Sequence, residues 1–161
     1  MLTYIDGDLI KLALGGSFDV ITHGCNCQSN MGAGIAPQMA KAFQCDRFKY
    51  EGSKYRGNIN KLGNIDYEEP ILASGKKLIV VNSYTQYRYG RNHTDGVSKP
   101  LDYEALTLCM RKINFLFEGM GMRIGLPKIG AGLAGGDWSV IEGIIQKELR
   151  DMIVTIVNYV P

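Results

Sequence analysis

The segment HGCNCQSNMGAGIA, residues 23–36, concentrates groups that could do chemistry. It holds a histidine, cysteines and amides, and its glycines precede a helical pattern. A second glycine-rich segment, IGAGLAGGDW at 129–138, also precedes a helical pattern. Glycines let main-chain N–H groups approach an anion without an intervening Cβ, and a helix N-terminus adds partial positive charge. Together the two segments predict a diphosphate site between them.

Two side chains near these segments are candidates for catalysis. His23 ends a predicted strand, and an imidazole titrates near neutral pH, so it is the leading general acid or base. Asp137 ends the second segment, where a carboxylate could orient water or His23. The residues leave two alternatives open: His23 fixes its loop through a hydrogen bond, and Asp137 caps the following helix.

The four cysteines do not form a metal-binding pattern. Cys25 and Cys27 are close in sequence, but a zinc site needs a second pair of ligands, and His93 with Cys45 or Cys109 makes a poor one. We therefore expect reduced, mostly buried thiols, no metal and no cofactor.

Composition and length restrict the class of protein. A net charge of +2 is too small to indicate a nucleic-acid or membrane surface by itself. No apolar stretch approaches the ~20 residues of a membrane span, and the start MLTYIDGDLI lacks the pattern of a signal peptide. We expect one domain over residues 1–161, a cytoplasmic monomer without a membrane partner.

Predicted strands and helices alternate along the chain. The apolar runs predict strands at LTYI (2–5), DVITH (19–23), LIVVN (78–82), RIGLP (123–127) and MIVTIVNY (152–159). Helical spacing predicts three helices. The first contains Ile35, Met39 and Phe43, and the second contains Leu106, Cys109, Met110, Ile113, Leu116 and Phe117 and ends at Gly119. The third contains Ile141, Ile144, Ile145 and Leu149 and begins with a capping box, Ser139 to Glu142. This alternation predicts a layered α/β domain whose ligands bind outside the carboxyl ends of its strands.

One motif suggests a dinucleotide-binding fold, which the rest of the sequence disfavours. Residues 130–135 match the GxGxxG pattern of dinucleotide-binding folds. In those folds the pattern lies in the first strand–turn–helix unit, with an acidic residue about twenty positions later and more strands beyond. Only residues 136–161 follow here, enough for one helix and one strand, so a dinucleotide-binding domain is disfavoured.

The motifs taken in order resemble those of a macrodomain. They are GDL at 7–9, HGCN at 23–26, MGAGIA at 31–36, LPKIGAGL at 126–133 and a closing strand that ends in Tyr159. The resemblance covers nearly the whole chain and implies a three-layer α/β/α fold with a central mixed, largely parallel sheet. Macrodomains bind ADP-ribose, which would supply the diphosphate.

The resemblance also implies a role for each matching residue. Asp8 would accept from the adenine amino group beside the Leu9 backbone, Tyr159 would lie near the adenine face, and Asn26 would hold the distal ribose hydroxyls. The diphosphate would lie between two sets of residues, Gly32, Ala33, Gly34 and Ile35 on one side and Gly130, Ala131, Gly132, Leu133, Ala134 and Gly135 on the other. Residue chemistry agrees with these roles. It also allows Asp8 as a turn cap, Asn26 as a loop-fixing amide and Tyr159 as a core aromatic.

Within the macrodomains, HGCNCQSNMGAGIA is most similar to the yeast-type ADP-ribose-1″-phosphate phosphatases, and the related glycohydrolases share much of the pattern. By this resemblance the glycohydrolases carry a Thr-Lys pair after the central strand, where this chain has Thr85 and Gln86. An amide can neither form a Schiff base nor supply positive charge. We therefore predict hydrolysis of the terminal phosphate of ADP-ribose-1″-phosphate without a covalent protein intermediate.

Two other functions stay open. One is an ADP-ribosyl hydrolase acting on protein or nucleic acid, and the other is a non-catalytic ADP-ribose reader. The tyrosine-rich segment SYTQYRYGRNHTDG, residues 83–96, could cover the terminal ribose, offer stacking and charge to RNA or to a modified macromolecule, or form a solvated loop. We expect it to decide substrate choice.

Overall fold

The chain alternates strands and helices around one six-stranded sheet. The computed structural model describes residues 2–32, 34–47, 57–88, 101–132 and 134–160. The strands are β1 (Leu2–Gly7), β2 (Val20–Asn26), β3 (Ile65–Glu68), β4 (Ile79–Gln86), β5 (Arg123–Leu126) and β6 (Ile153–Tyr159). The α-helices are α1 (Leu9–Leu14), α2 (Ala36–Phe43), α3 (Tyr103–Phe117) and α4 (Trp138–Glu148). Short 3₁₀ helices lie at Cys45–Arg47 and Ile59–Lys61.

The sheet is mixed and largely parallel, as predicted. Its strand order is β1-β6-β5-β2-β4-β3, and every pairing is parallel except that of the edge strand β3 with β4. The carboxyl ends of the five parallel strands therefore meet at one edge of the sheet. Any ligand that bridges the loops after these strands must bind at that edge.

Helices cover both faces of the sheet, which confirms the three-layer α/β/α fold. Neighbouring residues of β2 point to opposite faces. Val20 packs into the core formed with α3 and α4, whereas Ile21 packs into the core formed with α1 and α2. All four cysteines are free and buried, as expected. No helix in the part of the chain that is described is long and apolar enough to cross a membrane.

Several boundaries differ from those predicted. β4 continues to Gln86 because it pairs with β2 along its length and with β3 on its other side, so segment 83–96 begins as strand; its residues 89–96 lie outside the described part. The capping box at Ser139 is wrong, since Asp137 caps α4 by accepting from the Ser139 N–H at 3.0 Å. The helix α1 and the strand β3 were not predicted, because each is too short to show a clear hydrophobic period.

The helical faces are largely as predicted. In α3, the residues from Leu106 to Ile113 with the predicted spacing are fully buried, and Gly119, with φ of 75°, follows its end. Leu116 is an exception, because its side chain is 43% exposed. In α4, Ile141, Ile145 and Leu149 are buried and Ile144 packs against the same core.

Asp19 joins β2 to β5 through a cluster of charges, and we expect its loss to destabilise the fold. Its Oδ2 accepts from the Arg123 backbone N–H at 2.8 Å, and Oδ1 lies 3.1 Å from the Arg123 guanidinium and 2.9 Å from Lys76 Nζ. These hydrogen bonds, led by that of the Arg123 side chain, lower the pKa of Asp19. Asp19→Asn should lower the free energy of unfolding at pH 7 by about 2 kcal/mol.

The same substitution predicts a pH dependence. A carboxyl whose pKa is lowered by folding stabilises the protein above its unfolded pKa of about 4 and loses that contribution as the pH falls toward the folded value. The difference between wild type and Asp19→Asn in urea denaturation should therefore be constant above pH of about 5 and shrink below pH of about 4. A difference that does not shrink in acid would contradict the charged role of Asp19.

Candidate functional site

A cleft of about 500 Å³ lies at the carboxyl edge of β2, β4 and β5. We call residues 27–35, between β2 and α2, the first loop and residues 127–137, between β5 and α4, the second loop. The cleft separates these loops, as the two glycine-rich segments predicted. It is lined by Gly24, Asn26, Asn30, Gly32, Gly34, Ile35, Ala36, Gln86, Pro127, Lys128, Ile129, Gly130, Gly132 and Ala134.

The backbone N–H groups of the second loop form two sets, one that donates within the loop and one that has no acceptor among the described residues. The N–H groups of Ile129, Ala131, Gly135 and Gly136 donate to carbonyls within the loop. Those of Gly130, Gly132 and Ala134 donate to no acceptor among the residues that are described, and these three residues line the cleft. Ala131 and Gly135 are thus structural members of the loop. Leu133 lies outside the described part.

The first loop presents a helix N-terminus to the same cleft. Ile35 precedes α2 without a side-chain cap, and Pro37 in the first turn has no N–H. The N–H groups of Gly34, Ile35 and Ala36 have no acceptor within the described ranges, and all three residues line the cleft. Uncapped donors at a helix N-terminus favour an anion. Ala33 lies outside those ranges.

Asn26 holds the first loop in place. Its Nδ2 donates to the Asn30 carbonyl at 2.7 Å, and its Oδ1 accepts from the Asn30 N–H at 3.1 Å. The Asn30 side chain in turn accepts from the Gly32 N–H at 2.9 Å, so this N–H does not point at a ligand. A bulge between Cys25 and Asn26 places Asn26 opposite Gln86. These hydrogen bonds agree with the loop-fixing alternative, and Asn26 also lines the cleft, as the ribose-binding role requires.

Asp8, Leu9 and Tyr159 lie at the other end of the carboxyl edge, outside the lining of the cleft. Asp8 caps α1, with Oδ1 accepting from the N–H groups of Ile10 and Lys11. Leu9 is buried in the core beneath. Tyr159 pairs with Gly7 at the end of β6, and its side chain is 66% exposed, so it is not a core aromatic.

His23 is buried in the sheet and does not reach the cleft. Its side chain has no exposed surface, and Nε2 lies 2.7 Å from Asn82 Oδ1. Asn82 Nδ2 donates to the Cys45 carbonyl and to Asp66, so Oδ1 must accept and Nε2 must carry the proton. Burial lowers the pKa of His23 to about 4, an effect that the Asn82 hydrogen bond partly offsets.

The structure therefore gives no geometric support to the predicted acid–base role of His23, which stays a prediction. Strand alternation turns its ring toward the α1 and α2 side, and His23 is not among the residues that line the cleft. Nδ1 is buried and has no hydrogen-bond partner within the described part of the chain. Asp137 caps α4, with Oδ1 accepting from the backbone and hydroxyl of Ser139, and it is not among the residues that line the cleft.

Comparison with known proteins identifies the fold. No family model matches the sequence. An uncharacterized 17.5 kDa protein from the tk-vs intergenic region of Enterobacteria phage T4 is 34% identical and covers 100% of this chain and 98% of its own. An ADP-ribose 1″-phosphate phosphatase of Candida albicans is 27% identical, covering 91% of this chain and 93% of its own.

Solved macrodomain structures also resemble this chain. The macrodomain of Mycobacterium tuberculosis DarG superposes with a TM-score of 0.68 at 21% identity and covers 100% of this chain and 98% of its own. This chain has the macrodomain fold. A Bacteroides thetaiotaomicron protein of unknown function superposes on it with a TM-score of 0.75 at 25% identity, covering 98% of each. A Trypanosoma brucei macrodomain in complex with ADP-ribose matches with a TM-score of 0.61 at 14% identity, covering 98% of this chain and 63% of its own.

Two side chains in the cleft of this macrodomain were not predicted as site residues. Gln86, at the position where the resemblance implies a lysine in the glycohydrolases, lines the cleft and donates from Nε2 to the Arg88 carbonyl at 2.7 Å. Lys128 also lines it and is the only ionisable residue in that lining as far as the chain is described. Lys128 stands within the quoted motif LPKIGAGL, so its place beside the glycines was the available signal.

Among the described residues of the macrodomain, no group of three or more His, Cys, Asp or Glu residues is placed to hold a metal ion. The lining of the cleft consists of backbone, amides, small apolar side chains and one lysine. Such a set suits a ligand that combines negative charge with hydroxyl groups.

Proposed function

We propose that this macrodomain binds ADP-ribose across the carboxyl edge of its sheet and hydrolyses ADP-ribose-1″-phosphate. The observation that carries the proposal is a set of backbone N–H groups that have no acceptor among the described residues and belong to residues lining the cleft: Gly34, Ile35 and Ala36 from the first loop and Gly130, Gly132 and Ala134 from the second. Donors on two opposed loops match a diphosphate. The match to an ADP-ribose 1″-phosphate phosphatase and to a macrodomain in complex with ADP-ribose supports this choice.

The order of the strands suggests how ADP-ribose would lie along the carboxyl edge of the sheet. Adenine would lie at the ends of β1 and β6, where the hydrogen bonds that Asp8 accepts from described residues use Oδ1 and leave Oδ2 for an amino group. The exposed ring of Tyr159 offers a stacking surface there. The distal ribose would lie at the ends of β2 and β4, beside Asn26 and Gln86.

Hydrolysis in this cleft would rely on positioning rather than on a side-chain base. Water would attack phosphorus in line with the bond to the 1″ oxygen, that bond would break, and the products would be inorganic phosphate and ADP-ribose with a free 1″ hydroxyl. The transition state of such a phosphoryl transfer is loose, so fixed donors around the phosphate contribute most of the stabilisation. The neutral amides of Asn26 and Gln86 tolerate the terminal phosphate, whereas a carboxylate would repel it.

The test is phosphate release from ADP-ribose-1″-phosphate by wild type, Gln86→Ala and Gln86→Glu. We expect wild type to turn over and Gln86→Glu to lose at least about tenfold in kcat/KM relative to Gln86→Ala, because a like charge beside the phosphate costs about 1.4 kcal/mol or more. ADP-ribose, which lacks this phosphate, should bind both variants equally in calorimetry. Equal turnover by the two variants would contradict the proposed direction of the ligand.

A second candidate, an ADP-ribose reader without catalysis, is favoured by one observation. Lys128 is the only ionisable residue that lines the cleft within the described chain, and its place at β5 is away from the distal ribose. Wild type that binds ADP-ribose tightly, releases no phosphate and frees no ADP-ribose from modified protein or DNA would select the reader. Release of ADP-ribose from either macromolecule would select an ADP-ribosyl hydrolase instead.

A further inference from the structure

Lys128 places one cation at the mouth of a cleft that otherwise uses backbone donors. It is the second residue after β5, and its carbonyl accepts from the Ala131 N–H at 3.2 Å, which fixes its backbone within the second loop. Its side chain is exposed and lines the cleft. The fixed backbone and exposed side chain leave the ammonium free to move without disturbing the loop.

The ammonium of Lys128 makes only a weak contact in the structure. Its Nζ lies 5.9 Å from the ring centroid of Trp138, at the outer limit of about 6 Å for a cation–π interaction. No carboxylate pairs with it among the residues that the structure describes. An anion in the cleft would therefore compete for Lys128 with an aromatic ring and water, not with an ion pair.

The position of β5 in the sheet decides which part of a ligand Lys128 can meet. β5 lies between β6, on the side proposed for adenine, and β2, on the side proposed for the distal ribose. The uncapped N–H groups of Gly130, Gly132 and Ala134 belong to the same loop. Lys128 and these donors therefore belong to a loop that would meet the middle of the ligand, where the diphosphate would lie, and not its 1″ end.

We propose that Lys128 is a binding residue for the diphosphate of ADP-ribose, leaving the Trp138 ring to pair with a phosphate oxygen when the ligand binds. This assignment rests on the proposed function and extends it to a side chain. It predicts that Lys128 contributes equally to ADP-ribose and to ADP-ribose-1″-phosphate, because the two ligands share the diphosphate. It also predicts that this contribution decreases with salt, since an exposed charge pair is screened.

Calorimetric titration of both ligands tests the proposal at about 50 mM and about 500 mM NaCl, a range over which the Debye length shortens severalfold. The proteins are wild type, Lys128→Gln, Lys128→Arg and the control Lys147→Gln, which makes the same change in net charge at an exposed site in the last turn of α4. We expect Lys128→Gln to weaken both ligands by the same factor, about five- to tenfold at low salt. Lys128→Arg should bind like wild type, and Lys147→Gln should change nothing.

The unique tryptophan supplies a second readout. Ligand should change the fluorescence of Trp138 in wild type, because Lys128 moves away from the Trp138 ring when the ligand binds. The change should be smaller in Lys128→Gln, in which no ammonium contacts that ring. Three results would overturn the role of Lys128: equal affinities in Lys128→Gln and Lys147→Gln, equal fluorescence responses, or a loss confined to ADP-ribose-1″-phosphate. Wild type that binds neither ligand would overturn the proposed function together with this role, so the two failures are distinguishable.

Discussion

Gly136→Ala is expected to weaken ADP-ribose binding roughly a hundredfold while the chain remains folded. The Gly136 N–H donates to the Gly130 carbonyl at 2.8 Å, which closes the second loop. A Cβ at Gly136 would lie 2.8 Å from that carbonyl oxygen and would also overlap Leu101. Because the obstacle is backbone, the loop must open. Losing the aligned N–H groups of Gly130, Gly132 and Ala134, at about 1 kcal/mol for each hydrogen bond, gives the expected factor.

A matched substitution controls for the change of glycine to alanine. A Cβ at Gly143, within α4, would meet nothing within 4 Å. Gly143→Ala should therefore bind ADP-ribose like wild type and raise the free energy of unfolding by about 0.5–1 kcal/mol, because alanine favours a helix more than glycine does. Calorimetry with ADP-ribose and urea denaturation of both variants make the comparison. Wild-type affinity in folded Gly136→Ala would show that the second loop does not bind the diphosphate.

The free energy of unfolding is expected to fall by about 3 kcal/mol between pH of about 6.5 and pH of about 4 through His23 alone. In the unfolded chain the imidazole takes up a proton near pH of about 6.5. In the fold, burial keeps it neutral until the pH reaches its lowered pKa of about 4. The unfolded state thus binds more protons over this interval, so stability decreases as the pH falls through it.

Urea denaturation over a series of pH values, on wild type, His23→Gln and His93→Gln, tests this expectation. Glutamine can still donate to Asn82 Oδ1 but does not titrate. His23→Gln should therefore flatten the dependence between pH of about 4 and about 6.5, whereas His93→Gln should leave the contribution of His23 intact. Parallel curves for wild type and His23→Gln would refute the buried, neutral state of His23.

The same variant separates a structural histidine from a catalytic one. If His23 acts only through the core, folded His23→Gln should keep the phosphate release of wild type, provided that wild type turns over. A folded variant that binds ADP-ribose but has lost turnover would restore the acid–base role predicted from the sequence. The orientation of the ring would then have to differ from the buried one seen here.

Most of the fold followed from local patterns. The apolar runs of β2, β4, β5 and β6, the spacing in α3 and α4 and the stop at Gly119 were sufficient for a largely parallel sheet between helical layers. The sequence was less informative where an element was short or where one cap competed with another. The side chain of Asp137 was recognised as a possible cap, but Ser139 was preferred because it satisfies a capping-box pattern.

The backbone of the site could be predicted from the sequence, whereas most of the side chains that line it could not. The glycine patterns were enough to predict turns after β2 and β5. Parallel strands bring such turns to one edge of the sheet, so a cleft with main-chain donors could be expected there. Which side chains line that cleft could not be predicted from local patterns. Strand pairing sets the face on which each residue lies, so β2 turned His23 into the core, a bulge brought Asn26 opposite Gln86, and the turn after β5 left Lys128 at the mouth.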